Sequence, residues 1–147
     1  YLAHLVEQAG SAEAKIRAWI GGVLEQALQG EAAAATRPFA VSRARLSELF
    51  PDEVEASEHE LTAPLRAALA EAVASGALPG ADPERDADAI YTLAIGWVQR
   101  KLCQRETPPR AEAEHLVEFA LAALRRQAPQ SGARSEPQAS EVGEVAS

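Results

Sequence analysis

The chain has 147 residues, 47% of them hydrophobic but only 5% aromatic, with no Met and a formal net charge of −8. That length suffices for one domain with a core of its own and is short for two. The excess of acid argues against a nucleic-acid surface on this segment, because phosphate binding needs clustered Lys and Arg, and the lone Cys103 rules out an intrachain disulfide.

Apolar residues recur at helical spacing along the chain and strand-like alternation is absent. This predicts an all-α fold of about six helices in an orthogonal or antiparallel bundle. Because Tyr1 is not Met, the segment is expected to begin inside a longer reading frame or to have been trimmed. Leu2, Leu5 and Val6 share one face of a first helix that Gly10 stops, and Ser11 is placed to cap the next. From Ala12 to Leu28 the stripe Ile16, Trp19, Ile20, Val23, Leu24, Ala27 and Leu28 predicts a core-facing helix. Gly21 and Gly22 interrupt it. Each glycine costs about 1 kcal/mol against Ala in a helix interior, so the pair predicts a bend or a close neighbour.

Residues 29–38 read as a connector, after which Phe39, Leu46, Leu49 and Phe50 mark a short helix ended by Pro51. The acidic run from Asp52 to Glu60 reads as a helix surface. Pro64 leaves two readings open, a new helix starting near Thr62 or one helix that kinks. On to Ser75, Leu61, Leu65, Leu69, Ala72 and Val73 form one stripe, while Ala63, Ala67, Ala70 and Ala74 form a small-residue side that another helix can approach closely. Gly76 ends this helix, Leu78-Pro79-Gly80-Ala81 turns the chain, and Asp82-Pro83-Glu84 supplies an N-cap, a first-turn proline and an acid for the helix dipole.

The next helix, residues 83 to about 105, carries Ala87, Ile90, Tyr91, Ala94, Trp97 and Val98 on one arc and Ala89, Leu93, Gly96 and Cys103 on its flank. It is apolar nearly all round. With the helix before it, it has more apolar surface than one small domain can cover, which predicts self-association. Thr107-Pro108-Pro109 breaks the chain before a last helix to about Gln127 that presents Leu116, Phe119, Ala120, Ala123 and Leu124. Residues 128–147, rich in Gln, Ser, Gly, Pro and Glu, are expected to form a disordered tail.

Trp19, Phe39, Phe50, Tyr91 and Ile95 are candidates to line an apolar cavity for a hydrophobic small molecule, with the Tyr91 hydroxyl as polar anchor. The other reading, the commoner one for such side chains, is plain core. His4, His59 and His115 lack metal-ligand spacing, and the acids between Asp52 and Glu60 have no nucleophile, glycine-rich loop or oriented His beside them. No metal, cofactor or catalytic site is therefore expected. Arg43, Arg45, Arg66 and Arg100 are scattered and read as surface ion-pair partners. No leader or long uncharged apolar run is present, so a soluble cytoplasmic protein without membrane contact is expected.

Taken in order, Phe50-Pro51-Asp52-Glu53, Glu60-Leu61, Leu65, Leu69, Ala74-Ser75-Gly76-Ala77-Leu78, Asp82-Pro83-Glu84-Arg85-Asp86-Ala87 and Ile90-Tyr91 to Gly96 resemble the C-terminal regulatory domain of TetR/AcrR-type transcriptional repressors. The resemblance spans roughly residues 1–124 and implies an effector-binding and dimerisation domain over residues 1–127. It implies a homodimer in which the penultimate helical pair meets its copy as a four-helix bundle, with Leu69, Ala70, Ala74, Ala89, Leu93, Gly96, Trp97 and Arg100 at the interface. It further implies a small hydrophobic effector enclosed by the preceding helices, and DNA bound only through an N-terminal helix-turn-helix that this chain does not contain. Pro64 inside a bundle helix and the polar C-terminal stretch depart from the pattern. The other reading of the same residues is a freestanding α-helical interaction or scaffold module without an effector. Residues encoded upstream of Tyr1 would separate the two.

Overall fold

Helix-favouring spacing carries through to the computed structural model, which describes residues 1–29, 38, 42–105 and 107–129 and has no strand among them. Helices α1 (Leu2–Gln8) and α2 (Ala12–Leu28) come first, followed by a short α3 at 42–49, then α4 (Pro51–Ala74), α5 (Pro83–Gln104) and α6 (Arg110–Arg126). The fold is all-α, as expected, with six helices among the described residues. Most of the expected connector, Phe39, and residues 130–147 of the expected tail lie outside the described residues.

The boundaries follow local chemistry. Ser11 Oγ accepts the Ala14 N–H at 3.1 Å, satisfying one of the free donors at the start of α2. Asp82 Oδ1 accepts from the Glu84 and Arg85 N–H groups at 3.1 Å each, with Pro83 in the first turn of α5. Gly76 follows α4 at φ 77°, a left-handed conformation that glycine adopts without a Cβ penalty, and its N–H bonds the Val73 carbonyl at 3.1 Å.

Helix α2 is the centre of the molecule and packs on α1, α4, α5 and α6. Its stripe of Ile16, Trp19, Ile20, Val23 and Leu24 is wholly buried against Leu65 and Leu69 of α4, Ala94 and Val98 of α5, and Leu121 and Leu124 of α6 in one continuous core. The glycine pair in α2 divides in role. A Cβ on Gly22 would lie 2.6 Å from Leu2 Cδ1, so this glycine admits α1, whereas Gly21 has nothing within 4 Å.

The acidic run and the leucine stripe belong to one helix, and Pro64 lies inside it. Proline has no N–H to give the carbonyl one turn back, and its ring crowds that turn. The carbonyl deprived is that of Glu60, and side chains donate to the carbonyls on either side of it. Thr62 Oγ1 donates to the Glu58 carbonyl at 2.8 Å, Arg66 Nη2 to the His59 carbonyl at 2.7 Å, and the Trp19 indole N–H to the Leu61 carbonyl at 3.1 Å. The half of α4 after Pro64 carries Leu65, Ala68, Leu69 and Ala72 into the core. The half before it leads away from the core toward the cavity described next.

Two expected site residues are placed differently by this packing. Leu69, expected at a subunit interface, is 0% exposed within its own chain and belongs to the core, because the leucine stripe of α4 faces α2. Trp19, expected to line a cavity, is likewise 0% exposed, its ring filling the centre of the bundle and its N–H given to α4.

Candidate functional site

Beside the core, helices α3, α4 and α5 with one residue of α2 line a partly open cavity of about 440 Å³. Its apolar wall comes from Leu46 of α3, Phe50 at the start of α4, Val54 and Leu61 of α4, and Ile95, Val98 and Leu102 of α5. Leu46, Phe50 and Leu61 remain 39–50% exposed, so this is one of the places where the fold leaves large apolar side chains uncovered. Of the five residues expected to line a cavity, Phe50, Tyr91 and Ile95 meet here. Trp19 does not, and Phe39 lies outside the described residues.

A polar corner closes one end. Arg43 of α3 pairs with Glu58 of α4, and the same guanidinium nitrogen donates to the Tyr91 hydroxyl of α5. The guanidinium carbon lies 5.5 Å from the centroid of the Tyr91 ring, within cation–π range. Burial pushes the Tyr91 hydroxyl above its ordinary pKa, against the opposing pull of the Arg43 hydrogen bond and charge, so it stays protonated at neutral pH. Arg43, read from sequence as a surface partner, thus helps build the cavity wall. Glu58, one of the acids of a solvated-looking run, is its counter-ion.

The other side of α5 carries a second uncovered apolar region. Leu93, Trp97 and Arg100 face Pro109, Leu116 and Phe119 across a groove between α5 and α6, with Leu93 37% and Phe119 60% exposed. Lys101 underlies it, its Nζ 2.7 Å from Glu112 Oε2 of α6 and 5.9 Å from the Trp97 ring centroid, tying the two helices together. Each groove residue of α5 stands two positions after a cavity residue, Leu93 after Tyr91, Trp97 after Ile95, Arg100 after Val98. Two residues are roughly 200° of rotation on an α-helix, so the cavity and the groove occupy opposite faces of one rod. Of the other residues expected at an interface, Ala70, Ala74, Ala89 and Gly96 are exposed. The groove adds Leu116 and Phe119 of α6, which the sequence placed on the last helix without a role in an interface.

Among the described residues no group of His, Cys, Asp and Glu is arranged to hold a metal ion, and none of their helices is long and apolar enough to cross a membrane. Cys103 is exposed near the end of α5. A comparison with protein-family models, with curated proteins and with solved structures finds no match for this chain.

Proposed function

We propose that this chain is the effector-sensing and homodimerising part of a one-component DNA-binding regulator of the TetR/AcrR type. In this reading a small hydrophobic molecule occupies the cavity, two copies pair through α5 and α6, and DNA is contacted only by a helix-turn-helix N-terminal to Tyr1. The observation that carries the reading is the double role of α5: one face walls a ligand-sized cavity, and the opposite face carries exposed Leu93 and the groove shared with Phe119. Pockets of 300–1,000 Å³ with apolar walls and a few polar groups are the usual form of small-molecule sites. Exposed clusters of large apolar side chains on a small domain mark association surfaces.

Gly96 supports the same reading. It sits in the middle of α5, where glycine costs about 1 kcal/mol against Ala, and among the described residues nothing beyond its own helix backbone lies within 4 Å of where a Cβ would be. Its missing side chain is accounted for if the partner's helix crosses there. Relative to the bundle expected from sequence, the pairing surface shifts from α4 with α5 to α5 with α6, because α6 continues the exposed apolar residues of α5.

Analytical ultracentrifugation tests the dimer. The wild-type chain is expected to sediment at twice its 15.6 kDa mass, and a Leu93→Glu, Phe119→Glu double variant, with its helix content unchanged, at the single-chain mass. A double variant that keeps the wild-type mass would remove the α5–α6 surface from the account. An unpaired wild-type chain that binds a partner protein through this groove would favour the scaffold alternative.

A further inference from the structure

The polar corner of the cavity is a charge-balanced trio, and this bears on what the cavity holds. Arg43 brings one positive charge and Glu58 one negative, joined directly, with the Tyr91 hydroxyl as third member. The three come from three different helices. The remaining polar groups in the wall are mostly uncharged, Gln26 of α2, Ser57 of α4 and Gln99 of α5. Glu53, the one further charged residue, is exposed. Among the described residues of the wall no cation besides Arg43 is present to meet an anionic ligand. An anion drawn to Arg43 would also meet the Glu58 carboxylate already joined to it, a like charge at the same corner. A cation would face the guanidinium.

Hydrogen-bonding capacity is nonetheless present. Both bonds from Arg43 leave from Nη2, and a guanidinium carries donors on two further nitrogens. We propose that the cavity takes an uncharged ligand, a hydrocarbon chain or ring system with one terminal hydroxyl or carbonyl, whose polar end hydrogen-bonds at the Arg43–Glu58–Tyr91 corner while its body lies along Phe50, Leu61, Ile95 and Leu102. This rests on the reading of the cavity as the effector site and adds the charge class of the effector.

The test is isothermal titration calorimetry of the full chain with three probes of equal chain length, decanol below its solubility limit, and decanoate and decyltrimethylammonium below their micelle-forming concentrations. Decanol is expected to bind at least about tenfold more tightly than either ion, a difference of about 1.4 kcal/mol. Two variants give a readout that a purely structural role for the trio would not produce. Glu58→Gln leaves Arg43 unpaired and shifts the preference toward decanoate; Arg43→Gln leaves Glu58 unpaired and shifts it toward decyltrimethylammonium. Tightest binding of an ion by the wild-type chain overturns the charge class and leaves the cavity reading standing. No binding of any probe by a chain with intact helical circular dichroism overturns both.

Discussion

A methyl group at Gly80 would decide whether the end of α6 can seat against the turn between α4 and α5. A Cβ built there would fall 2.2 Å from the Gln127 carbonyl oxygen and 2.5 Å from that of Ala128. These are backbone atoms and cannot swing aside as a side-chain tip can. The contact is fastened beside it, with Gln127 Nε2 donating to Asp86 Oδ1 at 3.0 Å and Asp86 Oδ2 accepting the Asp82 N–H at 2.7 Å. Gly80→Ala is therefore expected to destabilise the fold by about 1–3 kcal/mol, the usual cost of overpacking a close contact. A thermal melt followed by circular dichroism reads this, and an unchanged midpoint would mean that the chain end does not dock there. The sequence identified Gly80 as a turn residue from its neighbours. That it is also a contact residue was not legible, because the atoms it admits are 47 and 48 positions away. Trp19 shows the converse. Its place in the α2 stripe was legible, but its choice between core and cavity depended on Leu61 of another helix, whose carbonyl takes its N–H.

At the scale of elements, α6 is fastened to α2 by charge as well as by Leu121 and Leu124. Arg17 of α2 pairs with Glu118 of α6, Glu13 of α2 with Arg125, and Glu25 of α2 with Arg110 at 3.1 Å. The Arg17 hydrogen bond holds the Glu118 carboxyl below the ordinary glutamate pKa of 4.5. For Glu25 the Gln29 hydrogen bond does most, followed by Arg110. Both carboxyls are thus more acidic in the folded chain than unfolded. Their contribution is fully present above the ordinary value and is lost as pH falls through the depressed folded values. The melting temperature is accordingly expected to decline below about pH 4.5, and a Glu25→Gln, Glu118→Gln double variant to show a shallower decline over that window. Equal slopes would show that the Glu25 and Glu118 carboxylates do not contribute to holding α6. The helices themselves were largely legible because caps and breakers act over a few residues: Ser11, Gly76 and Asp82-Pro83 each act where their types predict. The single course of α4 through Pro64 was not, because a proline at that depth reads equally as a break, and what carries the helix past it, the burial of Leu65, Leu69 and Ala72 against α2, is tertiary.

The molecule as a whole places two uncovered apolar regions on opposite sides of one helix. Part of each was visible in the sequence: Phe50, Tyr91 and Ile95 for the cavity, Leu93, Gly96, Trp97 and Arg100 for the outer face. The rest needed the fold. Arg43 and Glu58 are fifteen residues apart on different helices, and no spacing rule pairs them. Leu116 and Phe119 join the outer face only because α6 turns back along α5. If α5 links the two regions, occupying the cavity must alter the pairing of subunits, and by linkage the two effects are equal in free energy, commonly 1–3 kcal/mol or about 5–150-fold. The most direct measurement is the dimer dissociation constant from sedimentation equilibrium, taken with the cavity empty and then saturated with the tightest-binding of the three ten-carbon probes. The account predicts at least about a fivefold change. The same dissociation constant in both conditions would contradict it.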